Sequence, residues 1–344
     1  MQQTLTRSEI PLRPFEVSVY GLTPGEILQR GGISDDMALV EQTLLARTAS
    51  QSAALAAAGA HTVSAGGKRL RAAMVLLAAR LGAYDLERAL RPAVAVELLH
   101  AASLVHDDLV DHATQRRGRV TVHARWDSHV ALMLGDYLFG LAAGELAPER
   151  DPRIIRYYTD AARTMVEGEL NPVRQLAPFD VAYSQYTQKI GAKTAVLFAA
   201  ACRAGMAVGG GDDSAVRALG SYGYDLGLAF QIVDDVLDFT GDERTLGKPA
   251  GNDLREGTLT LPLMYAVAQS DDPLLAALVR SPRIDAAQIP VAVAATIGAG
   301  GARLAIEEAT RLAVRATEHL QIFAPSAARR ALYDLAHFIV RREA

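Results

Sequence analysis

ERALRPAVAVELLHAASLVHDDLVDHA, residues 87–113, is the stretch on which the fold turns. Apolar residues recur at three and four positions with no strand-like alternation, which predicts a long helix buried around most of its circumference. Its far end carries three carboxylates, Asp107, Asp108 and Asp111, directly after the apolar run AASLV. Charged groups are seldom buried without partners. In this D-D-x-x-D order, Asp107 and Asp108 lie four and three residues before Asp111, so the carboxylates are helix neighbours and repel one another.

A second stretch repeats the design. QIVDDVLD at 231–238 echoes LVHDDLVD at 104–111 and places Asp234, Asp235 and Asp238 after the apolar LGLAFQIV. The interval is too wide for a solenoid repeat and indicates two related sites on two helices. A single acidic helix end reads equally well as a solvated surface. Two copies, both embedded in apolar sequence, point to metal. Oxygen-only ligand sets suit Mg²⁺, which keeps several waters and shares its shell with substrate phosphates.

The rest of the chain fits a helical frame. Of its 344 residues half are apolar and only 6% aromatic, with a net charge of -4. Periodic segments follow one another from Ser34, an expected N-cap, almost to the end, with Gly, Pro or Asp at the joins. The expectation is an all-α protein: one domain over 34–344, built of about ten or more helices, after an irregular arm over 1–33 that contains prolines 11, 14 and 24. No basic stripe interleaved with aromatics suggests nucleic acid. The N-terminus lacks a signal-peptide pattern, and no unbroken apolar run reaches the ~18 residues of a membrane span. The reading is therefore of a soluble, cytoplasmic protein. The single cysteine, Cys202, excludes an intrachain disulfide and a cysteine-cluster metal site.

Cationic groups supply the counterpart of the aspartates. GGKRLR at 66–71 sets Lys68, Arg69 and Arg71 after a Gly-Gly joint at an expected helix start, where backbone N–H groups and the dipole favour anions. Arg116 and Arg117 follow the first acidic motif, Lys193 and Thr194 sit in IGAKTAVLF, and Lys248 lies in the loop LGKPAGNDLREG at 246–257. Each alone reads as a solvated charge. Together they describe a site for two diphosphates, one held through magnesium and one held by cations.

From Gly66 to Arg255, the order and spacing of GGKRLR, ELLHAASLVHDDLVD, RRGRVTVHA, GDYL, EGE, KTA, FQIVDDVLD and GKPAGNDLREGTLTLPL resemble the trans (E-) isoprenyl diphosphate synthases, or polyprenyl synthetases. The resemblance implies an all-α bundle around a central cavity, normally a homodimer. It implies that Asp107, Asp108 and Asp111 face Asp234, Asp235 and Asp238 and hold three Mg²⁺ ions on an allylic diphosphate. Arg116, Lys193, Thr194, Gln231 and Lys248 would contact that diphosphate. Lys68, Arg71, His100 and Arg117 would hold isopentenyl diphosphate, with Gly67 allowing close approach. Among these, the three aspartates of the first motif, Asp234, Asp235, Lys193 and Arg116 carry the catalytic expectation.

The implied reaction needs no protein nucleophile. The allylic C–O bond ionises, its electron pair leaving on the diphosphate, and the double bond of isopentenyl diphosphate attacks the cation. Loss of a proton, to the departing diphosphate, leaves a trans double bond in a chain five carbons longer. Bulky residues just before the first motif shorten the product in this family. Here those positions are Ala102 and Ser103, with Leu99 a further turn down, and Tyr157 or Tyr158 as a deeper floor. The expected product is thus longer than C20. The weaker alternatives are a farnesyl or geranylgeranyl diphosphate synthase, a class I terpene cyclase, and a non-catalytic subunit of a heteromeric synthase. Three departures from the family pattern stand out: Ala72 and Val120 where proline is usual, and Pro172 where Gln or Asp is usual, which should end its helix early.

Overall fold

The computed structural model describes residues 21–116, 118–241, 250–280 and 285–341. Expected residues Arg117 and Lys248 lie outside them. The described chain runs α1 (Pro24–Arg30), α2 (Ser34–Arg47), α3 (Ala53–Val63), α4 (Leu70–Ala79), α5 (Leu86–Val110), a two-stranded ribbon of β1 (Gln115–Arg116) and β2 (Arg119–Val120), α6 (Val122–Arg125), α7 (Ser128–Leu146), α8 (Pro152–Glu169), α9 (Phe179–Ile190), α10 (Val196–Val208), α11 (Asp213–Thr240), α12 (Asn252–Arg255), α13 (Leu261–Gln269), α14 (Pro273–Arg280), α15 (Ile289–Gly298), α16 (Gly301–Glu318) and α17 (Ala327–Val340). The all-α expectation is met.

The opening stretch forms α5, capped by Asp85, whose side chain accepts from Glu87 N–H, and closed at Asp111, whose N–H bonds to the Asp107 carbonyl. Its interior buries Val94, Val96, Leu98 and Ala102 completely. α5 packs on α4 and α7, while α11 packs on α10 and α16. α10 lies between these groups, touching α4, α5, α8 and α11.

Small residues make that centre possible. A Cβ on Gly205 of α10 would stand 2.2 Å from the Val75 carbonyl oxygen of α4, and one on Gly223 of α11 would stand 2.6 Å from the Phe198 carbonyl oxygen of α10. The backbones approach to a distance that no side chain permits. Cys202, completely buried on α10, is a core hydrophobe whose thiol pKa burial pushes up.

Two boundary expectations need correction. Within the stretch expected to be an irregular arm, Pro24–Arg30 is a helix, closed by a capping box between Thr23 and Glu26. Proline reads as a breaker, but at the first helical position its missing N–H costs nothing. Ile27 and Ile33 are completely buried, so the core begins before residue 34. Ser34 itself is the first helical residue, and Ile33 holds the cap position without a side-chain bond.

α9, the turn that follows it and α10 form one continuous helix, Phe179–Val208, long and apolar enough by composition to cross a membrane; 78% of that apolar window is buried inside the protein, as befits a core helix. Charged residues such as Lys193 interrupt its apolar run in the sequence. α8 ends at Glu169, just before Pro172, as that proline's missing donor requires.

Replacing Gly205 by alanine should destabilise the protein by roughly 1–3 kcal/mol, the usual cost of overpacking. Denaturant unfolding measures this, and an unchanged midpoint would contradict the α4–α10 approach.

Candidate active site

The acidic ends of α5 and α11 are joined by five residues of π-helix, Gly191–Ala195, between α9 and α10. A π-helical turn inserts an extra residue and re-aims its neighbours. Here it points Lys193 to one cluster and Thr194 to the other. Lys193 Nζ lies 3.6 Å from Asp107 Oδ2 and 3.0 Å from Glu169 Oε2 at the end of α8. Thr194 Oγ1 donates to Gln231 Oε1 at 2.8 Å, and Gln231 Nε2 donates to Asp235 Oδ1 at 2.9 Å.

Neighbouring helices grip this turn closely. A Cβ on Gly168 of α8 would meet the Ala192 Cβ at 2.3 Å, and one on Gly227 of α11 would meet the Ala195 Cα at 2.6 Å. Lys193 therefore has two acidic partners.

In the first cluster Asp108 is buried and accepts from Arg116 Nε at 2.6 Å, across the turn from α5 into β1. Asp111 caps the C-terminal end of α5, where a negative charge opposes the helix dipole, and is exposed. Burial pushes the carboxyls of Asp107 and Asp108 above the usual aspartate value, although Lys193 and Arg116 pull them down.

In the second cluster Asp235 and Asp238 are buried and Asp234 is half-buried. Tyr186 of α9, itself buried, donates its hydroxyl to Asp235 Oδ2 at 2.6 Å. Burial raises the Asp235 pKa despite the donors Tyr186 and Gln231, and neighbouring Asp238 adds to the rise. Asp238 Oδ2 accepts from the backbone N–H of Asp253 at 2.9 Å, and its carbonyl from Gly251 N–H at 2.8 Å. Gly251, with a φ of 78°, turns the chain back to make these bonds.

The cationic joint is arranged as its glycines suggest. Gly66 and Gly67 take φ values of 73° and 144°, conformations suited to glycine. Of the three cations that follow, Arg69 is structural: it bonds to Glu41 and the Val63 carbonyl and faces buried Glu97. Lys68 and Arg71 are turned elsewhere, Lys68 lying 4.9 Å from the centre of the Phe338 ring and Arg71 4.6 Å from that of Phe198. Phe198 is one turn beyond Thr194, so Arg71 is positioned by the same helix that carries Lys193. Ala72, the departure from the family's proline, gives its N–H to Glu97 Oε1 at 3.1 Å, a bond that proline lacks the donor to make.

His100 is half-buried on α5, and His106 is structural, its Nε2 3.2 Å from the Leu132 carbonyl and its ring against Gly135. Of the positions expected to set product length, Ser103 is half-buried with its hydroxyl bonded to the His100 carbonyl. Leu99 keeps 8% exposure, whereas Ala102 (0%) and Tyr158 (1%) are enclosed. The Tyr158 hydroxyl donates to the Pro92 carbonyl at 3.0 Å.

Glu169 and Tyr186 belong to this site and were absent from the sequence-derived residue set. Glu169 lies inside the motif EGE, a usable signal; Tyr186, seven residues before Lys193, offered only its helical phase. Among the described residues no three acidic, histidine or cysteine side chains converge as a ready-made metal cage. The reason is visible: Lys193, Arg116, Tyr186, Gln231 and the Asp253 backbone already attend the aspartates one by one. The donor set, all carboxylate oxygen with Asp111 exposed and Asp234 half-buried, fits Mg²⁺ bound by one or two carboxylates per ion and completed by phosphate oxygens.

Comparison with known proteins agrees with this geometry. Residues 52–295 match the family model described as Polyprenyl synthetase. The heptaprenyl diphosphate synthase component 2 of Geobacillus stearothermophilus is 40% identical over 315 residues, covering 90% of this chain and 97% of that one. A polyprenyl synthase from Caulobacter crescentus CB15, solved with calcium and isoprenyl diphosphate, superposes with a TM-score of 0.87 at 36% identity, over 94% of this chain and 98% of that one. A decaprenyl diphosphate synthase from Rhodobacter capsulatus gives a TM-score of 0.84 at 34% identity, over 94% and 100%. The chain belongs to the polyprenyl synthetase family. The expected fold and the expected enzyme class, a trans-prenyl diphosphate synthase of the medium- to long-chain group, are borne out.

Tyr186→Phe should raise the Mg²⁺ concentration needed for half-maximal turnover by about tenfold, because a hydrogen bond to a charged group contributes about 1.5–3 kcal/mol. An unchanged Mg²⁺ requirement would show that the hydroxyl does not position Asp235. The raised pKa values of Asp107, Asp108 and Asp235 give a pH dependence with a definite sign. A carboxyl raised in the fold costs stability when ionised, and that cost is relieved as pH falls through its folded pKa. Cations therefore gain most at high pH: the rise in Tm on adding Mg²⁺ with inorganic diphosphate should be larger near pH ~8 than near pH ~6. A larger rise at the lower pH would contradict it.

Proposed function

We propose that the protein condenses isopentenyl diphosphate with an allylic diphosphate, head to tail and in trans geometry, to give a polyprenyl diphosphate longer than C20. The observation that carries the reading is the Lys193–Thr194 pair, which attaches both aspartate clusters to one helical turn. Such a turn suits one diphosphate flanked by acids on two sides.

Asp107, Asp108, Asp111, Asp234, Asp235 and Asp238 hold Mg²⁺, three ions with substrate bound. Bound magnesium supplies charge neutralisation of the leaving diphosphate. Lys193, Arg116, Thr194 and Gln231 orient that diphosphate, and Lys248 adds a further cation. Lys68, Arg71, His100 and Arg117 hold isopentenyl diphosphate, with Gly67 letting the backbone come near. A divalent cation as partner is supported by the calcium and isoprenyl diphosphate of the Caulobacter relative.

The growing tail runs down α5 from Asp107 past Ser103 and Leu99. From Asp107 to Pro92, where Tyr158 closes the path, fifteen residues span ~22 Å at 1.5 Å per residue. The small, half-buried side chain of Ser103 supports a long product. The relatives' names, heptaprenyl and decaprenyl, support the same reading.

A cytoplasmic homodimer is the working form. Exposed Leu132 and Met133 on α7, and the open space around Gly140 and Gly144, support a second copy against that helix. One relative is named as component 2 of its enzyme. Were this chain part of such a pair, its complete acidic clusters would make it the catalytic member.

Incubating the purified chain with Mg²⁺, isopentenyl diphosphate and primers of increasing length, then weighing the products, tests the reading. A dominant C15 product, or activity that appears only with a second kind of chain, would refute it. Ser103→Phe should shorten the product at little cost in Tm, whereas Ala102→Phe, at an enclosed site, should lower stability by about 1–3 kcal/mol. An unchanged product from Ser103→Phe would remove that position from the tail's path.

A further inference from the structure

Next to the β1–β2 ribbon lies a cleft of about 730 Å³ whose chemistry the catalytic reading does not use. Its apolar half is Leu45, Ala57, Ala60 and Val120; its polar half is His61, Ser64, Arg119 and Arg125. The guanidinium groups are held in place by neutral partners. Arg119 Nη1 donates to Ser64 Oγ at 3.3 Å. Arg125 Nη1 lies 3.0 Å from His61 Nδ1 and its guanidinium 4.8 Å from the centre of the Trp126 ring.

The histidine's state follows from its other bond. His61 Nε2 is 2.8 Å from the Val120 carbonyl, which only accepts, so Nε2 carries the proton and Nδ1 accepts from Arg125. Among the described residues, no carboxylate lies within ion-pair distance of Arg119 or Arg125. Two exposed arginines with spare N–H groups, no acid, and a partly exposed apolar wall beside them form a surface receptor for an anion with a greasy end.

We propose that this cleft binds a phosphate- or diphosphate-bearing molecule at a site separate from the two aspartate clusters. The ribbon couples the two places. Arg119 pairs with Arg116 in the strand register, and Arg116 is the residue on Asp108. Arg119 thus lies on one strand while the other strand holds Arg116.

Titration calorimetry of metal-free protein with inorganic diphosphate and, separately, with geranyl diphosphate tests the assignment. The wild-type chain should take up one equivalent more than the Arg119→Gln/Arg125→Gln variant, whose melting temperature should match the wild type. If the arginine-dependent step is about tenfold tighter for geranyl diphosphate, the apolar half receives a prenyl tail, each buried CH₂ contributing about 0.8 kcal/mol. Equal affinity for the two probes assigns the cleft to the head group alone. Both results support the site. Equal stoichiometry in wild type and variant overturns it. Should the double variant melt early, Arg125→Gln alone carries the comparison. Because stoichiometry rather than turnover is read, failure here leaves the catalytic reading standing.

Discussion

The structure depends on how Lys193 and Thr194 divide their attention. They are adjacent in sequence, yet one faces Asp107 and Glu169 and the other faces Gln231 and, through it, Asp235. In a regular α-helix, consecutive residues point about 100° apart and seldom serve a single site. The π-helical turn and the close packing of Gly168 and Gly227 around it make the arrangement possible. The two aspartate clusters, with Glu169 and the carboxamide of Gln231, are thereby attended from one helical turn. Each buried acid has its own cation or neutral donor, which is what a set of like charges needs before magnesium arrives.

That distribution also explains why no closed metal cage exists among the described residues. A site with all its carboxylates converged would hold Mg²⁺ tightly on its own. Here the acids stand apart, with Asp111 exposed and Asp234 half-buried. On the proposed reading, the oxygens of a diphosphate would complete the shell of any metal held there. Metal and substrate would bind together, and the charge that magnesium neutralises is the charge of the leaving group.

Much of this was legible in the sequence because it is local. The apolar period of residues 87–113 predicts α5 as found, and the two D-D-x-x-D motifs mark the ends of the helices that carry the site. Gly66 and Gly67 announce a turn, and they make one. What was not legible lies between helices. The residues of IGAKTAVLF suit an α-helix as well as a π turn, so composition does not signal one. Tyr186 reads as ordinary packing until α9 is seen against α11. Glu169 reads as a surface acid until α8 is seen to end beside Lys193. The helix over Pro24–Arg30 was hidden by a proline whose position at a helix start reverses its usual meaning. Ala102 is small as expected but wholly enclosed, so small size alone does not mark a residue as lining a path.

The central claim is that two acidic clusters, joined through Lys193 and Thr194, make one diphosphate site. A double-mutant cycle on the affinity for Mg²⁺ with inorganic diphosphate tests it most directly, using Asp107→Asn, Asp234→Asn and the pair. One shared site gives strong non-additivity: each single change should weaken binding by about tenfold or more, and the pair by far less than the product, a coupling above ~1 kcal/mol. If the two losses simply multiply, the clusters act independently and the claim fails.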